Sequence, residues 1–195
     1  MSPITHLLVG WLVALAPRGL ERRERALIAL AGVAPDLDGL GLPVEILTEH
    51  TATPLLWYWE YHHVLLHNVL GAALMTGVAL ALARRRRALV AALSCLSFHL
   101  HLLGDLAGSR GPDGYPWPIP YLRPFSDAWQ LTWSGQWELD AWPNIALTLA
   151  CLGAAAALAV KRGVSPVEIV SPRGDSRVVA ALRARLGRGP RAQGG

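Results

Sequence analysis

Apolar residues run along this chain in five blocks, near 3–16, 24–35, 63–83, 88–106 and 144–161, separated by short stretches rich in proline, glycine or charge. Blocks of this length and continuity predict helices. The third, HVLLHNVLGAALMTGVALALA, and the fourth, ALVAALSCLSFHLHLLGDLA, are each about 20 residues long, which at about 1.5 Å per residue crosses a hydrocarbon layer of about 30 Å. Those two are the spanning candidates. The first two blocks are shorter and the fifth, NIALTLACLGAAAALAV, is intermediate, which suits tilted, re-entrant or buried segments behind the longer pair. Between the fourth and fifth lies a loop rich in tryptophan and proline, residues 107–143.

Charge orients these helices. Residues 18–25 (RGLERRER) hold four arginines, residues 84–87 hold four more, and the tail from Lys161 holds eight lysines or arginines. By the positive-inside rule these segments face the cytoplasm. The 36–62 loop carries Asp36, Asp38, Glu45, Glu49 and Glu60 with no lysine or arginine. Alternation therefore puts that loop, the N-terminus and the 107–143 loop on the opposite side. His6, Asp36, Asp38, His62, His63, His67, His101 and Asp105 all fall on that non-cytoplasmic face, although the orientation was set by arginines alone.

Composition narrows the class. The 195 residues suffice for one domain of several helices; 52% are hydrophobic and 16% charged, so much of the apolar surface meets lipid or a bundle interior. The net charge of +4 does not imply nucleic acid, because the basic residues sit in blocks beside apolar runs rather than along one polar face. Cys95 and Cys151 each lie inside an apolar run, which gives neither a disulfide framework nor a thiolate zinc cluster. The opening MSPITHLLVGWLVALAPRGLERRER places its apolar run ahead of its positive charge, the reverse of a secretory signal, so it is expected to be retained.

The stretch SFHLHLLGDLAGSRGPDG, residues 97–114, carries two histidines and an aspartate at the end of an apolar helix. Such groups are costly to desolvate unless something compensates them. His101 and Asp105, four apart, share one helix face and can reach a common ion; His63 and His67 have the same spacing. APDLDGL sets Asp36 and Asp38 two apart after a proline, which suits a helix end or turn with both carboxylates aimed into a cavity. Imidazole nitrogen with carboxylate oxygen fits zinc, with Mn2+ or Fe2+ as further fits, whereas magnesium and calcium favour oxygen nearly alone. These groups outnumber the needs of one tetrahedral ion, so they serve two metals or one metal with orienting partners.

Each group also has a plain structural role to weigh. His101 and Asp105 can form a hydrogen-bonded pair within a bundle, Asp36 and Asp38 can cap a turn, and His63 can be a core histidine. His50 and His99 are read as structural, His99 pointing nearly opposite His101. Arginines 84–87 read as a topology anchor, and the tryptophans at 57–59 and 117–142 as an interfacial belt. GSRGPDG lacks the Lys-Ser/Thr of a nucleotide loop. VVAALRARLGR reads as a basic amphipathic helix on the cytoplasmic leaflet, or as disordered.

Four motifs in order, ITH near the start, PDLD about thirty residues later, HHVLLHN, and HLLGDLAGSRGPDGYPWPIPYLRPF, resemble bacterial inner-membrane-associated metal-dependent hydrolases, themselves distantly similar to zinc-dependent phospholipase C. The likeness covers roughly residues 1 to 160. It implies metal residues at His6, Asp36, His62, His67, His101 and Asp105. Members of that family commonly show His-Arg and Thr-His-Ser where this chain has His62-His63 and Leu66-His67-Asn68, so histidine replaces an arginine suited to phosphate. Helical spacing pairs His63 with His67, whereas the resemblance selects His62, which requires residue 62 to precede the helix. His63 stays a candidate for orienting a ligand or contacting substrate, and Asp38 a candidate general base or second metal ligand.

The sequence thus predicts an all-α, membrane-embedded bundle of about five helices over residues 1–162, with the Trp/Pro-rich loop over a site for one or two zinc ions, and a basic, partly disordered cytoplasmic tail over 163–195. It predicts a hydrolase of the inner membrane acting at the non-cytoplasmic face on a phosphoester of a lipid or amphiphile, with Asp38 and His63 as catalytic candidates. Two other classes stay open. One is a non-catalytic membrane protein, either a metal-binding scaffold or a transporter, of which transport would place ionisable groups near mid-membrane or on both sides; the other is a purely structural bundle, which would bury His–Asp pairs without metal.

Overall fold

Ser2 opens the first helix, α1 (Pro3–Leu15), by accepting a hydrogen bond from the Thr5 amide, with Pro3 in the first turn where its missing N–H costs nothing. Glu21 and Glu24 form a capping box at the start of α2 (Arg22–Ala31). Pro35 follows closely, and the backbone tightens into a 3-10 segment, Ala34–Gly41, which runs on into α3 (Leu42–Thr48). After a short α4 (Trp57–Tyr61) come α5 (Val69–Leu82), α6 (Arg87–Gly108) and α7 (Trp142–Arg162). Gly163, in the left-handed conformation at φ 74°, terminates α7 and leads to a second 3-10 turn, Pro166–Ile169, and α8 (Pro172–Leu186). This computed structural model describes residues 1–111 and 114–186. Among the described residues there is no strand, only the isolated bridges Arg110–Glu138 and Ile119–Leu131 in the loop after α6. Pro112, Asp113 and the tail from 187 onward lie outside them.

The all-α bundle predicted from the apolar blocks is what forms. α1 packs on α2, α6 and α7, while α5 lies against α6. Trp11, Ala29, Cys151 and Ala155 share one core cluster, Ala14, Ile28, Ala79 and Val90 another, and Phe98, Ala72 and Leu102 a third that includes Ile119 from the loop. Small residues such as Ala29, Ala79 and Ala155 sit among the larger side chains of these clusters and let the helices approach closely. At Gly10 and at Gly32 a methyl group would come within 2.6 Å of Ser97 Oγ. Outside, Leu74, Leu96, Leu103, Leu149 and Leu152 are exposed, as befits faces turned to lipid.

α6 and α7 are long and apolar enough to cross a membrane; α2 with Ala34–Thr48 would make a third span, bent by 51° at its break. The third apolar block departs from its prediction as one spanning helix over 63–83. Only Val69–Leu82 is helical, because the Asn68 side chain accepts from the Gly71 amide as an N-cap while its Nδ2 donates to the Val64 and Leu65 carbonyls. His63 adopts φ 66°, which a helix excludes.

The three arginine-rich segments meet at one end of the bundle. Arg86 donates to the Arg18 carbonyl, the Arg85 amide donates to Glu24, and Arg162 donates to the Leu15 carbonyl. The chain beyond α7 joins this end: buried Glu168 accepts from Trp11 Nε1 at 3.0 Å and from Arg25 Nε at 2.7 Å. Val179 of α8 is buried, and Arg183 donates to the Val160 carbonyl at 3.1 Å, so α8 is docked on α7.

Candidate metal centre

The opposite end collects the histidines and aspartates. His101 and Asp105 stand one turn apart on α6, about 21 Å along the helix from Arg87 by the usual rise. The bend after α2 brings Asp36 and Asp38 to them, and the loop capped by Asn68 brings His62, His63 and His67. All five of Asp38, His63, His67, His101 and Asp105 are buried.

Hydrogen bonding fixes one proton on each ring. His101 Nδ1 lies 2.8 Å from the Gly32 carbonyl, which can only accept, so Nδ1 carries a hydrogen and Nε2 is the atom that can ligate. His67 Nδ1 donates to Asp38 Oδ2 at 2.9 Å, which likewise turns its Nε2 inward. The two Nε2 atoms face each other at 3.1 Å. Asp105 Oδ2 sits 2.9 Å from His101 Nε2 and 3.4 Å from His67 Nε2, and Asp36 Oδ1 lies 3.7 Å from His101 Nε2. Asp36 Oδ2 and Asp105 Oδ2 have no hydrogen-bond partner among the described residues. Ligands about 2.0–2.1 Å from a tetrahedral zinc lie about 3.3 Å from one another. The quartet Asp36, His67, His101 and Asp105 surrounds that spacing, so the residues present fit a zinc-sized cation.

Two of the six expected ligands stand beside this quartet rather than in it. His6 faces the other oxygen of Asp105, with Nε2 3.1 Å from Oδ1, and its ring stacks on His101 at 3.7 Å. The Met1 amino group also contacts Oδ1. His62 precedes α5, as the resemblance requires, but its Nδ1 donates to Asp38 Oδ1 at 2.8 Å. Asp38 is thereby occupied: Oδ1 by His62, and Oδ2 by His67 and the Leu66 amide at 3.2 Å. Asp38, His62 and His67 also lie close enough together to hold an ion, but doing so would strip His67 of the bond that orients it. Asp38 is therefore placed as an orienting carboxylate, not at the convergence.

His63 occupies the left-handed region, an uncommon and costly conformation for a non-glycine residue. Its Nε2 is 3.8 Å from Asp105 Oδ2 and its Nδ1 is enclosed without a partner among the described residues. Burial, reinforced by the neighbouring His67, holds its pKa well below the ordinary imidazole value. His67 behaves oppositely. Burial disfavours its charge, yet hydrogen bonds to Asp105 and Asp38 outweigh that effect and push it up to about 9.

A cavity of about 720 Å³ reaches the site, bounded by Asp36, Asp105, His62 and His63 at its floor and by Leu40, Trp59, Trp117 and Leu139 in its walls. Trp117 comes from the 107–143 loop and lies 5.0 Å from both His62 and His63, so the loop does cover the cluster. The loop is tied down by Gln136, whose Nε2 donates to the Asp105 carbonyl at 2.8 Å, and by Asn144, which donates to Gly108, Glu138 and Leu139. Tyr58, stacked on His62 at 4.5 Å, is kept protonated with its pKa raised to about 12, by burial first and then by Asp36 and Asp105. His50 lies away from the cluster beside Glu49, and His99 hydrogen-bonds to the Cys95 carbonyl and Tyr121 on the far face of α6.

Sequence reasoning missed the Gly32 carbonyl, Tyr58, Gln136 and Trp117. Gly32 and Pro35, on either side of Val33-Ala34, signalled the helix break that frees the carbonyl; nothing in the spacing signalled the others.

A helical bundle with lipid-type outer faces and a buried His–Asp cluster at one end defines a membrane protein with a candidate metal centre. The chain belongs to the YdjM inner membrane protein family, whose profile matches residues 1–177. That membership and the long apolar helices α6 and α7 put it in the inner membrane. No curated protein and no solved structure matches the chain. The family match carries the inner-membrane part of the likeness drawn from the motifs, and not its hydrolase or phospholipase C part.

Proposed function

We propose that this protein is a metal-dependent hydrolase that cleaves a phosphoester of a lipid or amphiphile at the non-cytoplasmic face of the inner membrane. The observation that carries the reading is the meeting of two imidazole Nε2 atoms with two unpartnered carboxylate oxygens, those of Asp36 and Asp105, which line an apolar cavity. Buried carboxylate oxygens left without a donor are unfavourable unless a cation meets them. Asp36, His67, His101 and Asp105 would hold one zinc ion. When bound there, zinc supplies Lewis-acid polarisation of a phosphoryl oxygen and acidifies water.

The chain's own residues do the rest. Asp38 and the Gly32 carbonyl hold the two imidazoles in the ligating tautomer. His6 steadies Asp105 through its other oxygen. His63, neutral at physiological pH and lining the cavity, takes the proton of the attacking water, with Asp105 behind its Nε2 to stabilise the imidazolium. The apolar walls exclude water and accept the chain of an amphiphile. The arginine-rich end, opposite the site, supports the orientation through the positive-inside rule, as a chain that crosses the membrane more than once.

The test is turnover of phosphomonoesters and phospholipids by detergent-purified protein, zinc-loaded or chelated, beside His63→Ala. Hydrolysis that disappears with chelator, and a kcat about 100- to 10,000-fold lower in a His63→Ala protein of unchanged zinc content, are expected. Zinc-replete protein inert toward every phosphoester would contradict the phosphoester assignment.

A further inference from the structure

Arg110, just after α6, has no part in the hydrolase reading, yet it lines the cavity. Arg110 is the one lysine or arginine among the described residues that line it, and the acidic groups lining it are Asp36, Glu45 and Asp105. Its position is fixed from three sides. The Arg110 amide donates to the Trp137 carbonyl at 3.1 Å, Nη2 donates to the Ser134 carbonyl at 2.6 Å, and the preceding residue, Ser109, donates to the Asp105 carbonyl at 2.7 Å. The arginine is thus tied to the helix turn that carries the candidate metal centre.

Among the described residues no carboxylate pairs with its charge: the arginine–carboxylate pairs are Arg25–Glu168, Arg85–Glu21 and Arg123–Asp127, none involving Arg110. Its Nε is enclosed and has no acceptor among the described residues. A buried N–H of a guanidinium held without an acceptor is costly, and a phosphate removes the cost by taking two parallel N–H bonds from the planar fork. Next to it, Leu40, Leu42 and Leu139 offer a chain-length of apolar wall.

We propose that Arg110 is the anion-recognition residue of this cavity, docking the phosphate of a phosphoester whose apolar chain lies along the leucine wall. The assignment rests on the hydrolase reading for the purpose of the cavity, and Arg110 acts by binding and positioning rather than in bond cleavage.

Decyl phosphate, decanol and inorganic phosphate are the probes, and binding is read from the fluorescence of Trp59 and Trp117 in the cavity wall. The wild type is compared with Arg110→Gln and Arg110→Lys, each zinc-loaded and chelated. Decyl phosphate is expected to bind about tenfold to a hundredfold more weakly to Arg110→Gln, with Arg110→Lys between, while decanol binds all three alike. Inorganic phosphate competing in an Arg110-dependent way assigns the site to soluble phosphoesters as well; Arg110-dependent binding of decyl phosphate alone assigns it to an amphiphile's headgroup. Equal decyl phosphate affinity in the wild type and a variant that still binds decanol overturns the proposal, as does failure of the wild type to bind either phosphate. Zinc content, measured on the same samples, judges the hydrolase reading separately: Arg110-dependent binding by a wild type that takes no zinc would sink that reading and leave this one standing.

Discussion

His101 hands its Nδ1 hydrogen to the backbone carbonyl of Gly32, 2.8 Å away, where α2 ends. A carbonyl cannot return a proton, so this single bond puts a hydrogen on Nδ1 and turns Nε2 toward His67, Asp36 and Asp105. His67 receives the same treatment from a carboxylate, Asp38, which also holds His62. The consequence is testable at Asp38, which lies outside the quartet yet sets the direction of one of its nitrogens. Asp38→Asn should weaken zinc binding about 10- to 100-fold, the usual cost of removing an orienting partner. A chelator competition measures it, and unchanged zinc affinity would remove Asp38 from the site.

Gly71 governs the loop that carries the histidines. A methyl group there would be driven into the Leu66 carbonyl and would press on Phe98 at 3.2 Å, whereas a methyl at Gly77, on the same helix, meets nothing within 4 Å. Gly71→Ala should cost about 1–3 kcal/mol through overpacking and lower zinc affinity with it. Gly77→Ala should be stabilising by up to about 1 kcal/mol. Thermal unfolding in detergent compares the two directly; equal Tm values would show that the loop is not packed as described.

The proton and the metal compete for one atom. With its pKa up to about 9, His67 in the metal-free protein is charged at neutral pH, and that charge must leave before Nε2 can ligate. The folded-state pKa lies above the ordinary imidazole value, so the protonated form dominates below it and is lost as pH rises through it. Apparent zinc affinity should therefore climb about tenfold per pH unit to about pH 9 and flatten above it. A profile flat from about pH 6 to 8 would mean that no such proton is displaced.

Orientation is open to chemical labelling. Thr53, in the exposed turn after α3, and Ser176, on the exposed side of α8, lie toward opposite ends of the bundle. In a protein with Cys95 and Cys151 replaced by alanine, Thr53→Cys should react with an impermeant thiol reagent from outside the inner membrane and Ser176→Cys only after lysis. Labelling of both from one side would overturn the assigned topology.

The fold was largely legible because apolar length and arginine placement are properties of the residues themselves. Where the reading slipped, the cause is local. Four-residue spacing made His63 and His67 look like one helical face; their rings do come within 4.3 Å, but through a loop. Asn68, a strong N-cap residue inside an apolar run, was the sign that the helix begins after the histidines. The site was legible as a set of residue types and illegible as an arrangement. Asp36, His67, His101 and Asp105 lie together, while His6, His62 and Asp38 hydrogen-bond to their neighbours, a division that depends on which oxygen faces which nitrogen. The Gly32 carbonyl is beyond any side-chain pattern, because every residue has one.

The measurement that tests the central claim most directly is metal content by mass spectrometry, on detergent-purified wild type beside a folded His101→Ala/Asp105→Ala variant. One zinc per chain in the wild type, lost in the variant while Asp38→Asn retains a weakened share, is the predicted result. Wild-type protein that holds no metal when purified without chelator, and takes none on reloading with Zn2+, Mn2+ or Fe2+, would contradict it and leave a buried, hydrogen-bonded cluster that serves the bundle alone.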